Sequence, residues 1–104
     1  MFFRSTPTAT PPENPEQAQA QLADLKLYYF SSCPFCQRVL RHLQALELEV
    51  ELCDISASTA HRNALQQGGG RTTVPCLYIG KEERWLYESK DIITFIDQRI
   101  AETN

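Results

Sequence analysis

The sequence predicts an α/β domain, a four-stranded mixed sheet flanked by helices, with its elements in the order β-α-β-α-β-β-α. Three observations carry this. An apolar, aromatic run at 25–30, LKLYYF, has strand length and leads directly into a helical apolar stripe. A period-two run at 48–53 is followed by a serine-capped segment that stops at three glycines. Two further strand-like runs, VPCLYI and RWLYE, are joined through GKEER and precede a last helical stripe. The first β-α-β requires a parallel pair with a right-handed crossover, and the later hairpin must be antiparallel, so the sheet is mixed.

Each element has a local cause. The first strand ends at SSCP, and Pro34 suits the first turn of a helix, where its missing N–H costs nothing. Val39, Leu43 and Leu46 then recur at i, i+4 and i+7, with Leu40 widening the stripe. In LEVELCDI, Leu48, Val50 and Leu52 alternate with Glu49, Glu51 and Cys53, which predicts an edge or half-exposed strand with Cys53 on its Glu-bearing face. Ser56 or Ser58 can cap a helix running to about Gln67, where GGG ends it. Ser89 is expected to cap the last helix, whose apolar face is Ile92, Ile93, Ile96 and Ile100.

The chain has 104 residues, room for one domain with a modest core. Residues 1–23 are expected to be a disordered or partly helical extension: residues 1–15 are rich in Pro, Thr, Asn and Glu, and EQAQAQLA has one large apolar residue. The ordered domain is expected over 24–104. A net charge of −3 presents no basic face for nucleic acid or an anionic membrane. No run approaches a membrane span, and the opening MFFRSTPTATPPENP lacks the apolar core of a secretory signal. A cytoplasmic, reducing setting is therefore expected, in which four cysteines point to metal or redox chemistry rather than structural disulfides.

Cys33 and Cys36, in FSSCPFCQRV, are the candidates for that chemistry. Cys33 falls where the helix N-cap belongs, and Cys36 lies one turn in. Unpaired N–H groups and the positive end of the helix dipole favour a thiolate there. Zinc needs about four ligands, usually as two short-spaced pairs, and neither Cys53 and Cys76 nor His42 and His61 supply a second pair. No metal is expected. A CxxC that follows a strand and opens a helix in a β-α-β context reads as a redox centre.

CPFC, then Thr73-Val74-Pro75, then a terminal hairpin and helix together resemble the glutaredoxin family over roughly residues 24–102. The resemblance implies a thioredoxin-like fold, glutathione as reductant, and glutathionylated or disulfide-containing proteins as partners of a monomer. Phe35 stands where the family usually has tyrosine. By the same likeness Pro75 is cis, and the Val74 backbone pairs with the cysteinyl unit of glutathione like an added strand. Glu88-Ser89 resembles the Glu-Ser of glutathione transferase N-terminal domains, which implies binding of the γ-glutamyl end: carboxylate on the helix N-terminus and Ser89, ammonium on Glu88. The lysine that often stands three residues before the first cysteine is absent, with Phe30 in its place, and Arg71 and Arg38 are the nearest candidates for its charge.

Two rival functions follow from the same residues. One is a carrier holding a [2Fe–2S] cluster through the first cysteine and bound glutathione, against which Pro34 argues. The other is a dedicated electron donor reduced by a thioredoxin reductase, against which Glu88-Ser89 argues. Cys76 reads as a small buried side chain starting the third strand. Cys53 and the two histidines have no assigned role. Tyr28, Tyr29, Trp85 and Tyr87 read as sheet packing.

Overall fold

The computed structural model describes residues 10–102. The expected disorder of the opening residues lies, for residues 1–9, outside the described residues. The elements are α1 (Pro15–Gln21), β1 (Leu25–Tyr29), α2 (Pro34–Leu46), β2 (Glu51–Asp54), α3 (Thr59–Gly69), β3 (Cys76–Ile79), β4 (Arg84–Tyr87) and α4 (Ser89–Ala101), with a 3₁₀ turn at Gly80–Glu82 between the last two strands. The sheet order is β2-β1-β3-β4. β1 runs parallel to β2 and antiparallel to β3, and β3 is antiparallel to β4. This is the mixed sheet that the pattern predicts.

Side chains on successive strand residues point to opposite faces, so each row of paired residues belongs to one face. Leu52, Leu27, Leu77 and Leu86 form one row across all four strands. With Leu25 and Ile79 of that face, Val39 and Leu43 of α2 and Ile92 and Ile96 of α4 build the main core. Fully burying one such side chain contributes about 1.5–3 kcal/mol. The other row is Cys53, Tyr28, Cys76 and Tyr87. Leu65 of α3 and Ile55 cover it, forming a second, smaller cluster.

The expected helix stripes on α2 and α4 are present, as are a short helix before β1 and a serine cap on α3, and four details refine or correct the sequence pattern. α1 is formed, and Ala18 and Leu22 enter the main core beside α4, because tertiary burial stabilises a helix too short to stand alone. Regular strand begins only at Glu51, and Leu48 N–H still closes the α2 terminus on Leu43 O. Cys53 does share its face with Glu51, its Sγ lying 4.0 Å from Glu51 Oε2, but α3 buries it, while Leu52 at the sheet edge is 47% exposed. α3 is capped by the Ser58 hydroxyl, which accepts from the His61 N–H, and it runs on to Gly69, with Gly70 left-handed at φ 91°. Glu88, not Ser89, occupies the N-cap position of the last helix, without a side-chain cap bond, and Ser89 is its first residue, because the chain turns at Glu88 with φ 79°.

Candidate active site

The loop from β1 to α2 is tight. Cys33 N–H donates to Phe30 O at 3.2 Å, and the Gln37 side chain donates to Ser31 O at 2.7 Å. Cys33 is thereby held as the N-cap of α2 with Pro34 at the first helical position. Its Sγ accepts the Cys36 N–H at 3.3 Å, the hydrogen bond that an N-cap oxygen would accept. Cys33 remains 7% exposed, whereas Cys36 is fully buried. Burial, with Cys33 beside it, pushes the Cys36 thiol well up, so it stays protonated at neutral pH. The two thiols are free, adjacent on one helix turn and unequal in access.

The Val74–Pro75 peptide is cis, and the Val74 carbonyl lies 3.9 Å from Cys33 Sγ. From Val74 a groove of about 310 Å³ runs toward the start of α4, lined by Phe35, Arg38, Thr73, Val74, Pro75, Glu88, Ser89 and Lys90. Thus Thr73, Val74, Pro75, Glu88 and Ser89 all border one space. Phe35 stands 56% exposed at its rim, with the Arg38 guanidinium 5.8 Å from the ring centre. Ser89 is only 6% exposed, and its hydroxyl has no hydrogen-bond partner among the described residues. Glu88 makes no side-chain cap bond either, so the first-turn amides of α4 have no side-chain acceptor.

Arg71 is placed differently. Its guanidinium stacks over the Tyr87 ring at 4.2 Å, and its carbonyl accepts the Tyr87 hydroxyl at 3.0 Å. It clamps the loop that delivers Val74, and it does not line the groove. Phe30, in the place of the absent lysine, packs against the second cluster. Lys90 went unnoticed in the sequence, although its position directly after Ser89 at a helix start marks it. Cys53 and Cys76 belong to the second cluster, under α3. Burial raises the Cys76 thiol to about 11. His42 lies away from this site, bonded to Asp97 at 2.7 Å and linking α2 to α4. Among the described residues, no three metal-ligating side chains gather at one point.

A CxxC pair opening a helix on such a sheet defines a thioredoxin-like domain of the thiol–disulfide redox class. The chain matches the family described as glutathione S-transferase, N-terminal domain over residues 27–104, and it belongs to that family. Among solved structures it is similar to glutaredoxin 2 from Salmonella typhimurium in complex with glutathione, at 28% identity and TM-score 0.60, over 72% of this chain and 33% of that one. The chain thus spans about a third of that relative. It is also similar to a glutaredoxin from Brucella melitensis, at 25% identity and TM-score 0.56, over 80% of this chain and 88% of that one. A buckwheat glutaredoxin–glutathione complex, at 21% identity and TM-score 0.58 over 88% and 92%, shares the fold. Comparison with curated proteins gives no match.

Proposed function

We propose that this domain is a glutathione-dependent thiol–disulfide oxidoreductase that reduces disulfides and glutathionyl mixed disulfides through Cys33 and Cys36. The observation that carries this is the position of Cys33 Sγ: it accepts a helix N-terminal N–H and lies 3.9 Å from the carbonyl of Val74, a residue that lines one groove with Ser89. Glutathione bound here pairs its cysteinyl backbone with Val74 and lays its γ-glutamyl end on Glu88, Ser89 and the α4 amides. Thr73 and Pro75 form the walls.

In the first step the Cys33 thiolate attacks the glutathionyl sulfur of a mixed disulfide. The substrate S–S bond breaks, the substrate thiol leaves and takes up a proton, and Cys33 becomes glutathionylated. A second glutathione thiolate then attacks the bound glutathionyl sulfur, which returns Cys33 and yields glutathione disulfide. Alternatively, Cys36 attacks Cys33 Sγ, forms the intramolecular disulfide and releases glutathione. Because Cys36 is protonated at neutral pH, this second branch accelerates as pH rises. Holding the three sulfurs in line contributes through positioning. The partners are glutathione and disulfide-bearing proteins. No helix among the described residues is long and apolar enough to cross a membrane.

Substitution tests the assignment. Cys33→Ser is expected to abolish glutathione-dependent reduction, while Cys36→Ser retains deglutathionylation and loses the intramolecular disulfide. Retained turnover in Cys33→Ser would overturn the reading.

A further inference from the structure

We infer that the apolar groove between α2 and the outer edge of β2 is the docking site of the chain's own N-terminal segment, with Phe2 and Phe3 seated in it. This groove, of about 370 Å³, is separate from the one lined by Val74 and Ser89. Leu40, Leu43, Leu48, Val50 and Leu52 make its apolar lining. Leu40 and Val50 are only partly buried against the main core, and Leu52 is 47% exposed. Among the described residues, Phe35 is the other large apolar side chain so exposed, and it belongs to the active-site rim. β2 pairs with β1 alone, so no strand among the described residues lies beyond Leu52. A concave, mainly apolar lining of this size suits large hydrophobic or aromatic groups.

Reach and charge identify the occupant. Gln19 of α1 holds the Glu49 backbone twice, donating to its carbonyl at 2.6 Å and accepting its N–H at 2.9 Å. Pro15, the first residue of α1, shares a smaller cleft with Glu47 and Leu48, and Leu48 also lines the groove. The chain before α1 therefore sets out beside the groove. The eleven residues between Phe3 and Pro15 span up to about 36–40 Å when extended, so Phe2 and Phe3 reach it with chain to spare. Residues 1–9, MFFRSTPTA, carry their large apolar side chains in the first three positions, one arginine and no acidic residue. The edge they would meet is acidic: Glu47, Glu49 and Glu51 are exposed, and none forms an ion pair among the described residues. Arg41 also lines the groove, so three carboxylates there stand against one cation, and Arg4 complements them. A second copy of the chain would instead set the glutamates of one β2 edge against those of the other, and like charges so opposed disfavour pairing.

NMR of the full chain, with its mass in solution followed by sedimentation, tests this. Nuclear Overhauser contacts are expected from the Phe2 and Phe3 rings to the methyls of Leu40, Val50 and Leu52, in a species of one chain. In Phe2→Ser/Phe3→Ser the shifts should change at those three residues and not at Cys33, Val74 or Ser89, and Arg4→Glu should weaken the same contacts. Leu52→Glu leaves the N-terminal sequence intact and changes only an exposed position of the groove. It should speed trypsin cleavage after Arg4 at least about fivefold, because cleavage follows the undocked fraction, without speeding cleavage after Arg62 within α3. Ring contacts to Phe35 or Val74 in place of Leu52, contacts that arise only as a dimer forms, or no contacts with equal cleavage after Arg4 would each overturn the inference. Glutathione-dependent turnover should be equal in the full chain and in Phe2→Ser/Phe3→Ser, so the redox reading stands or falls separately.

Discussion

Glu88 takes φ 79° and ψ 116°, a conformation that side chains other than glycine rarely adopt. Such a residue costs on the order of 1–3 kcal/mol and persists where the surroundings hold it. Here the turn at Glu88 puts its carboxylate on the groove and makes Ser89 the first helical residue. Glu88→Gly should therefore raise stability by about 1 kcal/mol, strain relief outweighing the added chain entropy, while weakening glutathione binding. Thermal unfolding and KM for glutathione, measured on one sample, check both signs. A variant that is both less stable and equally tight would refute the strain argument. The Glu-Ser pair is visible in the sequence. The strain is not, because a backbone angle is set by what the two flanking elements require.

At the scale of elements, the three glycines after Gln67 read as a helix stop, and only Gly70 serves as one. A Cβ on Gly68 would stand 2.1 Å from Trp85 Cζ2, and one on Gly69 would stand 2.1 Å from the Tyr87 hydroxyl. These two glycines let the end of α3 lie directly on the aromatic residues of β4. That contact also seats Tyr87, which clamps Arg71 and hence the loop carrying Val74. Gly68→Ala gains helix propensity but must displace the indole, with an expected net loss of about 1–3 kcal/mol. Denaturant unfolding at constant m-value measures it. A gain in stability would show that the indole yields freely. Because Trp85 and Gly68 are distant in sequence, a pattern read along α3 does not reveal the contact.

Across the whole molecule, Asp24 and Arg99 fasten the N-terminal helix to the rest. Arg99, 8% exposed, donates to Asp24 Oδ1 at 2.8 Å and to the Gln21 carbonyl at 2.6 Å. Asp24 Oδ2 accepts the Lys81 N–H at 2.8 Å, and its backbone carbonyl accepts the Gly80 N–H at 3.0 Å. Burial raises the Asp24 carboxyl, but the Arg99 and Lys81 hydrogen bonds and the Arg99 charge outweigh it, and the folded value lies below the ordinary 3.8. The stabilisation is thus present above that ordinary value and lost as pH falls through the folded one. At the alkaline end, burial raises Cys76 to about 11 and Tyr28 to about 12. The unfolded chain ionises first there, so their contribution is complete below their ordinary values of 9 and 10 and is lost as pH rises through the folded ones. Tm should therefore be flat near neutrality and fall at both extremes. Asp24→Asn should flatten the acid limb alone, and an unchanged acid limb would remove Asp24 from that role.

The sequence by itself determined the order of strands and helices, the start of α2 at Cys33-Pro34 and the placement of both cysteines in its first turn. Each is encoded within about ten residues, as a repeat of apolar positions, a cap or a proline, and local backbone physics is enough to interpret it. Thr73-Val74-Pro75 and Glu88-Ser89 stood out as separate motifs, but their meeting along one groove depends on β3 and α4 being folded together. Only the tertiary structure decided that α1 joins the core, that Cys53 turns inward, that Arg71 stacks on Tyr87, and that Arg38 and Lys90 are left to face the groove. Those outcomes follow from which side chains compete for the same space once distant segments pack, and no local pattern records that competition.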